Sequence, residues 1–407
     1  MNRHALLGLA ALTALTATGV LAACAADEQT SAGGDDAGTI VADRDAQVDA
    51  ATDSGLDDAA SAPCLPDTLC PGGPYDPSTP GGPLDLRTRI NAIHGRSPSD
   101  VWAVGARGAI VHFDGTSWTR SDAATQKSFY AIWLRDSGEA AIASLLSVFT
   151  HGATDVDAGA GAPTPSPGGW REFDVTDAPG EAFGSTAMVS SIWAASSAEW
   201  AWLTTMEFPI SPSVDPNING LWRVRVDPTT NALQVANAFT PGVCSVSPCR
   251  QMTSIHGASA DDLWAVGVTG ALVHIEDAQS DAPTITPVDS QTWAGLNGVW
   301  AASKSDIWAV GGNGVIRHCA GAPDAWDVVT DVPTTDDLFA VSGTSATDVW
   351  AVGANATVLH YDGQHWSRVR VTGLAGRTPT LFAVWAPSPG HVLIGGEGVL
   401  LSYGGKP

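Results

Sequence analysis

Positively charged residues are scarce in this sequence. It contains 19 Lys and Arg against 43 Asp and Glu, which gives a formal net charge of −24 at pH 7. No segment gathers enough basic side chains to neutralise a row of phosphate groups. We therefore expect no nucleic-acid partner.

The sequence also lacks the short motifs that mark common active sites. It has no GxSxG, no HExxH and no P-loop, and no GxGxxG is followed by a helical pattern. Its arginines are scattered, and no Arg-Ile-Pro segment of the sialidase kind occurs. We therefore predict that the protein is not an enzyme, and we assign no catalytic residue, no cofactor and no metal.

Long hydrophobic runs are absent after the first 23 residues, so no later segment is apolar enough to span a membrane as a helix. Residues 5–23, by contrast, are apolar or small. They end in Leu21-Ala22-Ala23-Cys24, which resembles a bacterial lipobox.

The lipobox resemblance implies a lipoprotein signal peptide over 1–23 and lipidation of Cys24. Membrane lipid would then be a partner, and the protein would belong to the bacterial cell envelope, lipid-anchored at the outer membrane and facing the periplasm or the surface. Two alternatives stay open at this point, namely an ordinary signal peptide with an incidental cysteine and an uncleaved anchor.

Residues 24–84 are predicted to form a disordered tether. Between 25 and 60 there is no aromatic residue, and ten Asp and Glu face the single basic residue Arg44. Such a composition cannot bury enough apolar surface to offset the conformational entropy of the chain. As a random coil, a tether of this length reaches roughly 40–45 Å, so the following domain would stand away from the membrane.

The six cysteines fit an oxidising compartment. With Cys24 assigned to lipid, the close pairs Cys64 with Cys70 and Cys244 with Cys249 are predicted local disulfides. Cys319 remains and is predicted to be a buried thiol. The sequence has no CxxC motif paired with a second CxxC or with HxxxH, so it does not support a zinc site.

An internal repeat dominates the rest of the chain. The motif WAVG begins at Trp102, Trp264, Trp308 and Trp350, and the last three copies are 44 and 42 residues apart. A period of this size is typical of one four-stranded blade of a β-propeller. A second marker of three residues occurs seven times. It consists of Ile or Val, then His, Trp or Ser, and then usually a small residue. Its middle residues are His94, Trp133, Trp193, His256, Trp300, Ser342 and Trp385.

The sequence therefore predicts an all-β fold, a seven-bladed β-propeller with four-stranded blades over 85–407. The blades are expected to start near 90, 129, 189, 252, 296, 338 and 381. The second strand of each blade is apolar on both faces, as expected where a blade packs between two neighbours. In the first blade, Ala103 and Gly105 are expected to leave room for a tryptophan of an adjacent blade.

A histidine follows each WAVG tryptophan by ten residues, at His112, His274, His318 and His360. A shared metal ion is excluded because the strands that carry these residues lie far from the propeller axis and on different blades, about 10 Å apart at least. We expect each histidine to bond within its own blade, to a turn aspartate or a backbone carbonyl. The aspartates that precede the tryptophans are expected to cap turn N–H groups; they are Asp100, Asp262, Asp306 and Asp348.

These motifs, over about 85–404, resemble the Asp-box (BNR-type) and photosystem II assembly-factor families of bacterial propellers. One departure matters, because Asp114-Gly115-Thr116-Ser117-Trp118 lacks the residue that an Asp box places between its Asp and Gly. Such families include enzymes, ligand-binding proteins and assembly scaffolds. The resemblance therefore implies a fold and leaves the function open.

Function is expected where the repeat is interrupted. The insertion 206–220, the segment 239–252 and Trp293 all fall in loops that share one rim of a propeller. Phe208, Ile210 and Trp293 are the candidate ligand-binding residues.

We interpret the protein as a monomeric, membrane-anchored envelope lipoprotein whose propeller is a non-enzymatic binding module for a protein or glycan. One alternative is a propeller-fold glycan hydrolase or lyase, which would need converging carboxylates in the central channel. Another is a structural envelope component without a discrete ligand.

The seventh repeat ends soon after its third strand. A fourth strand would have to come from the N-terminal side, since pairing would cover an open sheet edge. We expect residues 84–88 to pair near 399–403, unless this blade has only three strands. The Pro-rich stretch 71–82 is a poor donor of ladder N–H groups.

The lipid anchor gives a first testable prediction. Replacing Cys24 with Ser removes the thiol that lipidation requires, so the variant should be released from membranes. Fractionation and labelling with a fatty-acid probe measure this, and a variant that stays membrane-bound and labelled would contradict the lipobox assignment.

Overall fold

A computed structural model describes residues 68–75, 84–136, 138–152, 163–174, 187–207, 220–227, 233–237, 249 and 251–404. The predicted signal peptide, Cys24 and most of the tether lie outside these residues. Within them, no helix is both long and apolar enough to cross a membrane.

The described strands form seven separate sheets of four antiparallel strands each. Seven innermost strands surround the propeller axis and are Ile90–Ser97, Ala131–Leu134, Ala187–Trp193, Met252–Ser259, Leu296–Ser303, Leu338–Ser345 and Leu381–Ser388. The second strands are Asp100–Gly105, Ala140–Ala143, Ala201–Glu207, Asp262–Gly267, Asp306–Gly311, Asp348–Gly353 and His391–Gly396. We number the blades 1 to 7 in this order. The prediction of an all-β propeller with seven four-stranded blades is confirmed.

The outer half of each blade follows the same order. The third strands are Ile110–Phe113, Ser147–His151, Leu221–Val226, Leu272–Glu276, Ile316–Ala320, Val358–Tyr361 and Val399–Tyr403. The outermost strands are Trp118–Arg120, Arg171–Asp174, Leu233–Asn237, Thr284–Pro287, Trp326–Val328, Trp366–Arg368 and, for blade 7, Cys70–Pro71. Short 3-10 turns occur at Gly73–Tyr75, Ala106–Gly108, Val268–Gly270 and Gly312–Gly314.

The WAVG tryptophan joins each blade to the next. Trp102 of blade 1 meets Trp170, which precedes the outermost strand of blade 2, at a centroid distance of 5.7 Å and an angle of 87°. Trp264 and Trp308 contact Trp326 and Trp366 of their next blades in the same way, at 5.3 and 5.4 Å. Edge-to-face pairs of this kind add to the free energy gained by burying the rings.

Alanine on the facing second strand leaves room for these rings, as predicted. Trp264 shares a core cluster with Ala309 of blade 5, and Trp308 shares one with Ala351 of blade 6. The expectation for the strand-ending glycine was wrong. A Cβ on Gly105 would lie 1.9 Å from the carbonyl oxygen of Arg89, so this glycine permits close approach of the neighbouring backbone within its own blade.

The ring closes with a strand from the N-terminal side of the chain. Cys70 pairs with Ser402 and Pro71 with Leu401, and the Gly72 N–H donates to the Leu400 carbonyl at 2.9 Å. The prediction of an N-terminal closing strand was right in kind but placed at the wrong residues. Pro71 is tolerated because this strand is outermost, where one side of the ladder has no partner strand.

Residues 84–88 have a different role from the one predicted. The Leu84 N–H donates to the Pro74 carbonyl at 2.6 Å, and the Thr88 carbonyl accepts from Gly398 at 3.0 Å, just before the third strand of blade 7. The Tyr75 hydroxyl donates to the same Thr88 carbonyl at 2.6 Å. This segment therefore ties the closing strand to blade 1 without joining the sheet of blade 7.

The closing strand gives a stability prediction. In protein made without residues 1–24, deletion of 25–62 keeps Cys64, Cys70 and the strand, so Tm should hardly change. Deletion of 25–75 removes the strand and exposes the edge of blade 7 together with the pocket of Leu69, which is fully buried. Calorimetry should show Tm lower by several degrees, and equal Tm values for the two deletions would contradict closure by this strand.

Candidate functional site

The loops divide between two rims. We call upper rim the side that carries the loops from second to third strand and from each outermost strand to the next blade. Each innermost strand follows an upper-rim loop, so it runs from the upper to the lower rim. The loop that contains Phe208 and Ile210 is of the upper-rim type, but both residues lie outside the described part of the chain.

The innermost strands enclose a central cavity of about 360 Å³. The repeat marker places one side chain from every blade at the same level of its wall, namely His94, Trp133, Trp193, His256, Trp300, Ser342 and Trp385. These residues are half-buried or nearly buried. The cavity therefore has a wall rich in aromatic and imidazole rings.

The tryptophans of this level lean on neighbouring blades. A Cβ added to Gly257 would lie 2.6 Å from the ring of Trp193 in the preceding blade, and one added to Gly343 would lie 2.8 Å from the ring of Trp300. Where the preceding blade has a histidine or serine in place of the tryptophan, the residue that faces it is larger than glycine. Ala301, for example, faces His256 of the preceding blade. Side-chain volume is thus matched across the joints between blades, and these tryptophans are structural.

The two histidines of the cavity wall are held neutral. Burial lowers the pKa of His94 to about 4, with a contribution from the charge of Arg96. Burial lowers the pKa of His256 to about 3, and the charge of His94 adds to this effect. The Nδ1 atom of His256 accepts the backbone N–H of Ala301 at 3.2 Å, so the other ring nitrogen carries the proton.

The outer histidines lie beside the aspartates that begin the second strands, and three of the four bond to them. The distance from Nε2 to Oδ1 is 2.8 Å for His112 with Asp100 and for His360 with Asp348. It is 3.4 Å in the corresponding pairs of blades 4 and 5. Each imidazole also stacks on the WAVG tryptophan of its blade at 3.7–4.3 Å. The prediction of local bonding to a turn aspartate is confirmed for His112, His274 and His360. It fails for His318, whose buried Nε2 has no hydrogen-bond partner although Asp306 lies 3.4 Å away.

The aspartates themselves act differently from the prediction. Burial alone would raise the pKa of Asp348, but hydrogen bonds from Thr344, His360 and Trp350 outweigh it and lower the pKa. The aspartate thus accepts side-chain donors and caps no turn N–H group. Turn capping belongs instead to Asp114, which accepts the N–H groups of the next turn at 2.8 Å.

Trp293 is the most exposed large apolar side chain among the described residues, with 90% of its surface accessible. Its loop is nevertheless held firmly. The buried Arg317 donates from Nε to the Ser290 carbonyl at 2.8 Å and from Nη2 to the Gln291 carbonyl at 2.9 Å. The Ser290 hydroxyl donates to the Gly270 carbonyl at 2.6 Å.

The loop between blades 1 and 2 shares its local features with the loop that carries Trp293. The fourth residue after the outermost strand is left-handed in each loop, with φ of 56° at Ala124 and 55° at Gln291. The residue two positions earlier is an aspartate that accepts the N–H of that left-handed residue, at 2.7 Å from Asp122 and 2.8 Å from Asp289. The two loops therefore obey the same local requirements.

The matched loops differ at the exposed position. In both, a threonine, Thr125 or Thr292, accepts the N–H two residues on, at 3.2 and 3.0 Å. The residue after the threonine is Gln126 in one loop and Trp293 in the other, and both side chains point to solvent. Since the loop with Gln126 makes the same backbone hydrogen bonds, the backbone does not require an indole at this position.

The predicted cysteine pairs are only partly described. Cys64 and Cys244 lie outside the described residues, so both disulfides stay predictions. Cys319 is a free, fully buried thiol, as expected, and burial with the nearby carboxylates raises its pKa to about 11. No group of three or more His, Cys, Asp or Glu in the described ranges is arranged to hold a metal ion.

Solved structures share this architecture. YCF48 from Cyanidioschyzon merolae gives a TM-score of 0.55 at 15% identity, over 79% of this chain and 97% of that chain. YCF48 bound to D1 peptide gives 0.55 at 15% identity, over 84% and 99%. The WD40 β-propeller domain of Doa1 gives 0.54 at 10% identity, over 78% and 93%.

These identities show likeness of fold alone. No protein-family model matches the sequence, and no curated protein matches it.

The cavity histidines give a pH prediction. The unfolded chain binds a proton on histidine near pH 6.5, whereas folded His256 binds one only near pH 3. The stability contributed by neutral His256 is therefore complete above pH 6.5 and is lost as the pH falls toward 3. Between pH 7 and 5 the wild type should lose about 1–2 kcal/mol more of its unfolding free energy than His256→Asn.

Urea denaturation at the two pH values measures this difference. Asparagine keeps an acceptor near the position of Nδ1 but does not titrate. His365→Asn, the same substitution at an exposed histidine, is the matched control. Parallel pH curves for the wild type and His256→Asn would show that the cavity histidine does not titrate as described.

Proposed function

We propose that this protein is a non-enzymatic binding module that holds a partner protein on its upper rim through Trp293. The observation that carries the proposal is the 90% exposed indole on a loop immobilised by Arg317. A rigid, exposed tryptophan binds with little loss of conformational entropy, and tryptophan is enriched among the residues that dominate binding energy.

A protein partner is favoured by the fold comparison. A propeller of this architecture, YCF48, is known bound to D1 peptide. The likeness is one of fold, so it supports a polypeptide as the class of ligand and does not identify the partner. A glycan is the alternative, because a sugar ring can also stack on an exposed indole.

A glycan hydrolase or lyase is less well supported. Hydrolysis of a glycosidic bond normally uses two carboxyl groups that face each other across the substrate. The described side chains that line the central cavity include no Asp or Glu. A purely structural envelope component is also less well supported, since it would gain nothing from Trp293 where the matched loop carries Gln126.

The proposal includes the cellular location of the protein. Lipidation at Cys24 would anchor it in the bacterial envelope, and the tether would let the upper rim reach a partner away from the membrane. The predicted disulfide between Cys64 and Cys70 would then brace the chain beside the closing strand, where Cys70 pairs with Ser402.

Site-specific photocross-linking in the producing cells tests the function. A photoreactive phenylalanine analogue replaces Thr269, an exposed residue of the neighbouring upper-rim turn. With Trp293 intact we expect one discrete cross-linked polypeptide, and Trp293→Gln should reduce its yield at least tenfold. The substitution copies the matched loop, so Tm should be unchanged.

The matched control places the same analogue at Arg107, the equivalent left-handed turn residue beside Gln126. It should give no discrete adduct. Adducts of equal yield at the two positions, or an adduct at Thr269 that survives Trp293→Gln, would contradict binding through Trp293. Cross-linking to carbohydrate in place of polypeptide would favour the glycan alternative.

A further inference from the structure

Arg89 has a cationic side chain that nothing in the described structure neutralises. Its backbone is fixed just before blade 1, where its carbonyl accepts the Ala106 N–H at 2.8 Å and its residue bridges to Glu397. Its side chain is half-buried, and the buried Nε has no hydrogen-bond partner. A buried N–H without an acceptor is costly, and no hydrogen bond joins the rest of this guanidinium to the described residues.

Arg135 and Arg223 also have a buried Nε without a partner, but both donate through their other guanidinium nitrogens. The remaining arginines of the described residues also differ from Arg89. Those that are half-buried donate to carboxylates or backbone carbonyls, as Arg96 does to Asp100 and Arg317 does to Ser290. Three arginines without such bonds are fully solvated on the surface, and these are Arg107, Arg120 and Arg370. Among the described arginines that are not exposed, Arg89 therefore stands apart because its side chain donates to neither a carboxylate nor a carbonyl.

Arg89 lies against Phe382, one of two phenylalanines that line the upper-rim end of the central cavity, which we call its mouth. Its guanidinium carbon is 4.6 Å from the ring centroid of Phe382 in blade 7. Phe382 lies 5.2 Å from Phe339 of blade 6, at an angle of 37°, and both rings line the cavity near its upper-rim end.

The repeat does not require these two phenylalanines. At the same position, four other blades carry a polar residue that donates to the first carbonyl of the next blade, at 2.5–2.8 Å. These residues are Asn91, Ser190, Thr253 and Asn297. Phe339 and Phe382 give up this bond at two adjacent joints, beside Arg89.

We propose that this mouth binds a small aromatic carboxylate. The planar guanidinium of Arg89 holds the carboxylate in a paired, charge-assisted hydrogen bond, and the ligand ring packs against Phe339 and Phe382. The cavity of about 360 Å³ falls in the size range of small-molecule sites. This site is separate from the surface around Trp293.

Benzoate is the probe, and benzamide is its neutral analogue of the same shape. Each compound is titrated into the full chain, and binding is measured by calorimetry and saturation-transfer NMR. Benzoate should bind, and benzamide should bind at least tenfold more weakly. Acetate, which lacks the ring, should also bind at least tenfold more weakly. Added salt should weaken benzoate binding, since an ion pair is formed.

Two variants locate the site. Arg89→Gln should weaken benzoate at least tenfold, whereas Arg120→Gln, which removes a solvated arginine of blade 1, should leave its affinity unchanged. Phe382→Leu keeps Arg89 but removes the ring, and it should also weaken benzoate. Trp293→Gln should have no effect, so failure of this site and failure of the proposed function are distinguishable.

The comparison of benzoate with benzamide on the unaltered protein stands even if a variant fails to fold. Absence of benzoate binding would overturn the proposal, and so would equal affinities for benzoate and benzamide. Unchanged benzoate affinity in folded Arg89→Gln would place the carboxylate elsewhere and would also overturn it.

Discussion

The packing of the WAVG tryptophans into the following blade is the interaction on which much of this propeller depends, and it occurs at four of the seven joints. Trp102, Trp264 and Trp308 each leave their own sheet and meet a tryptophan at the edge of the next one. Because the contact joins blades rather than strands, it determines the spacing of the sheets. The histidine stacked on each of these rings and its aspartate hold the indole from the other side.

The same rule of matched volumes operates around the cavity. Tryptophan on one blade meets glycine on the next, as Trp193 meets Gly257, so the rings lie along the wall instead of filling the axis. The central cavity is thus a consequence of packing between blades. Its mouth becomes chemically distinctive only where Phe339 and Phe382 replace polar residues and Arg89 is left without an acceptor.

Repetition supplies an internal standard for recognising function. The loops of Gln126 and Trp293 share their left-handed residue and their capping bonds, so the difference between the two side chains is not explained by the backbone. Arg89 can be compared in the same way with the other half-buried arginines. In the first case the comparison is with a structurally equivalent position, and in the second with residues of the same type; in each, the residue that departs from the others is the candidate for binding.

The sequence by itself determined the blade count and the four-stranded plan of the blades, because the marker centred on His94 and its equivalents recurs in all seven copies. It also determined the local bonding of His112, His274 and His360, which recurs in copies that carry WAVG. It also indicated that Trp293 falls in a rim loop. It indicated a closing strand from the N-terminal side but not which residues form it, since Cys70 and Ser402 are far apart in the chain and two residues carry no periodic pattern. Only the tertiary structure decided that Arg317 immobilises the loop of Trp293. It also decided that Arg89 lies on Phe382, because ring closure brings the first and last blades side by side.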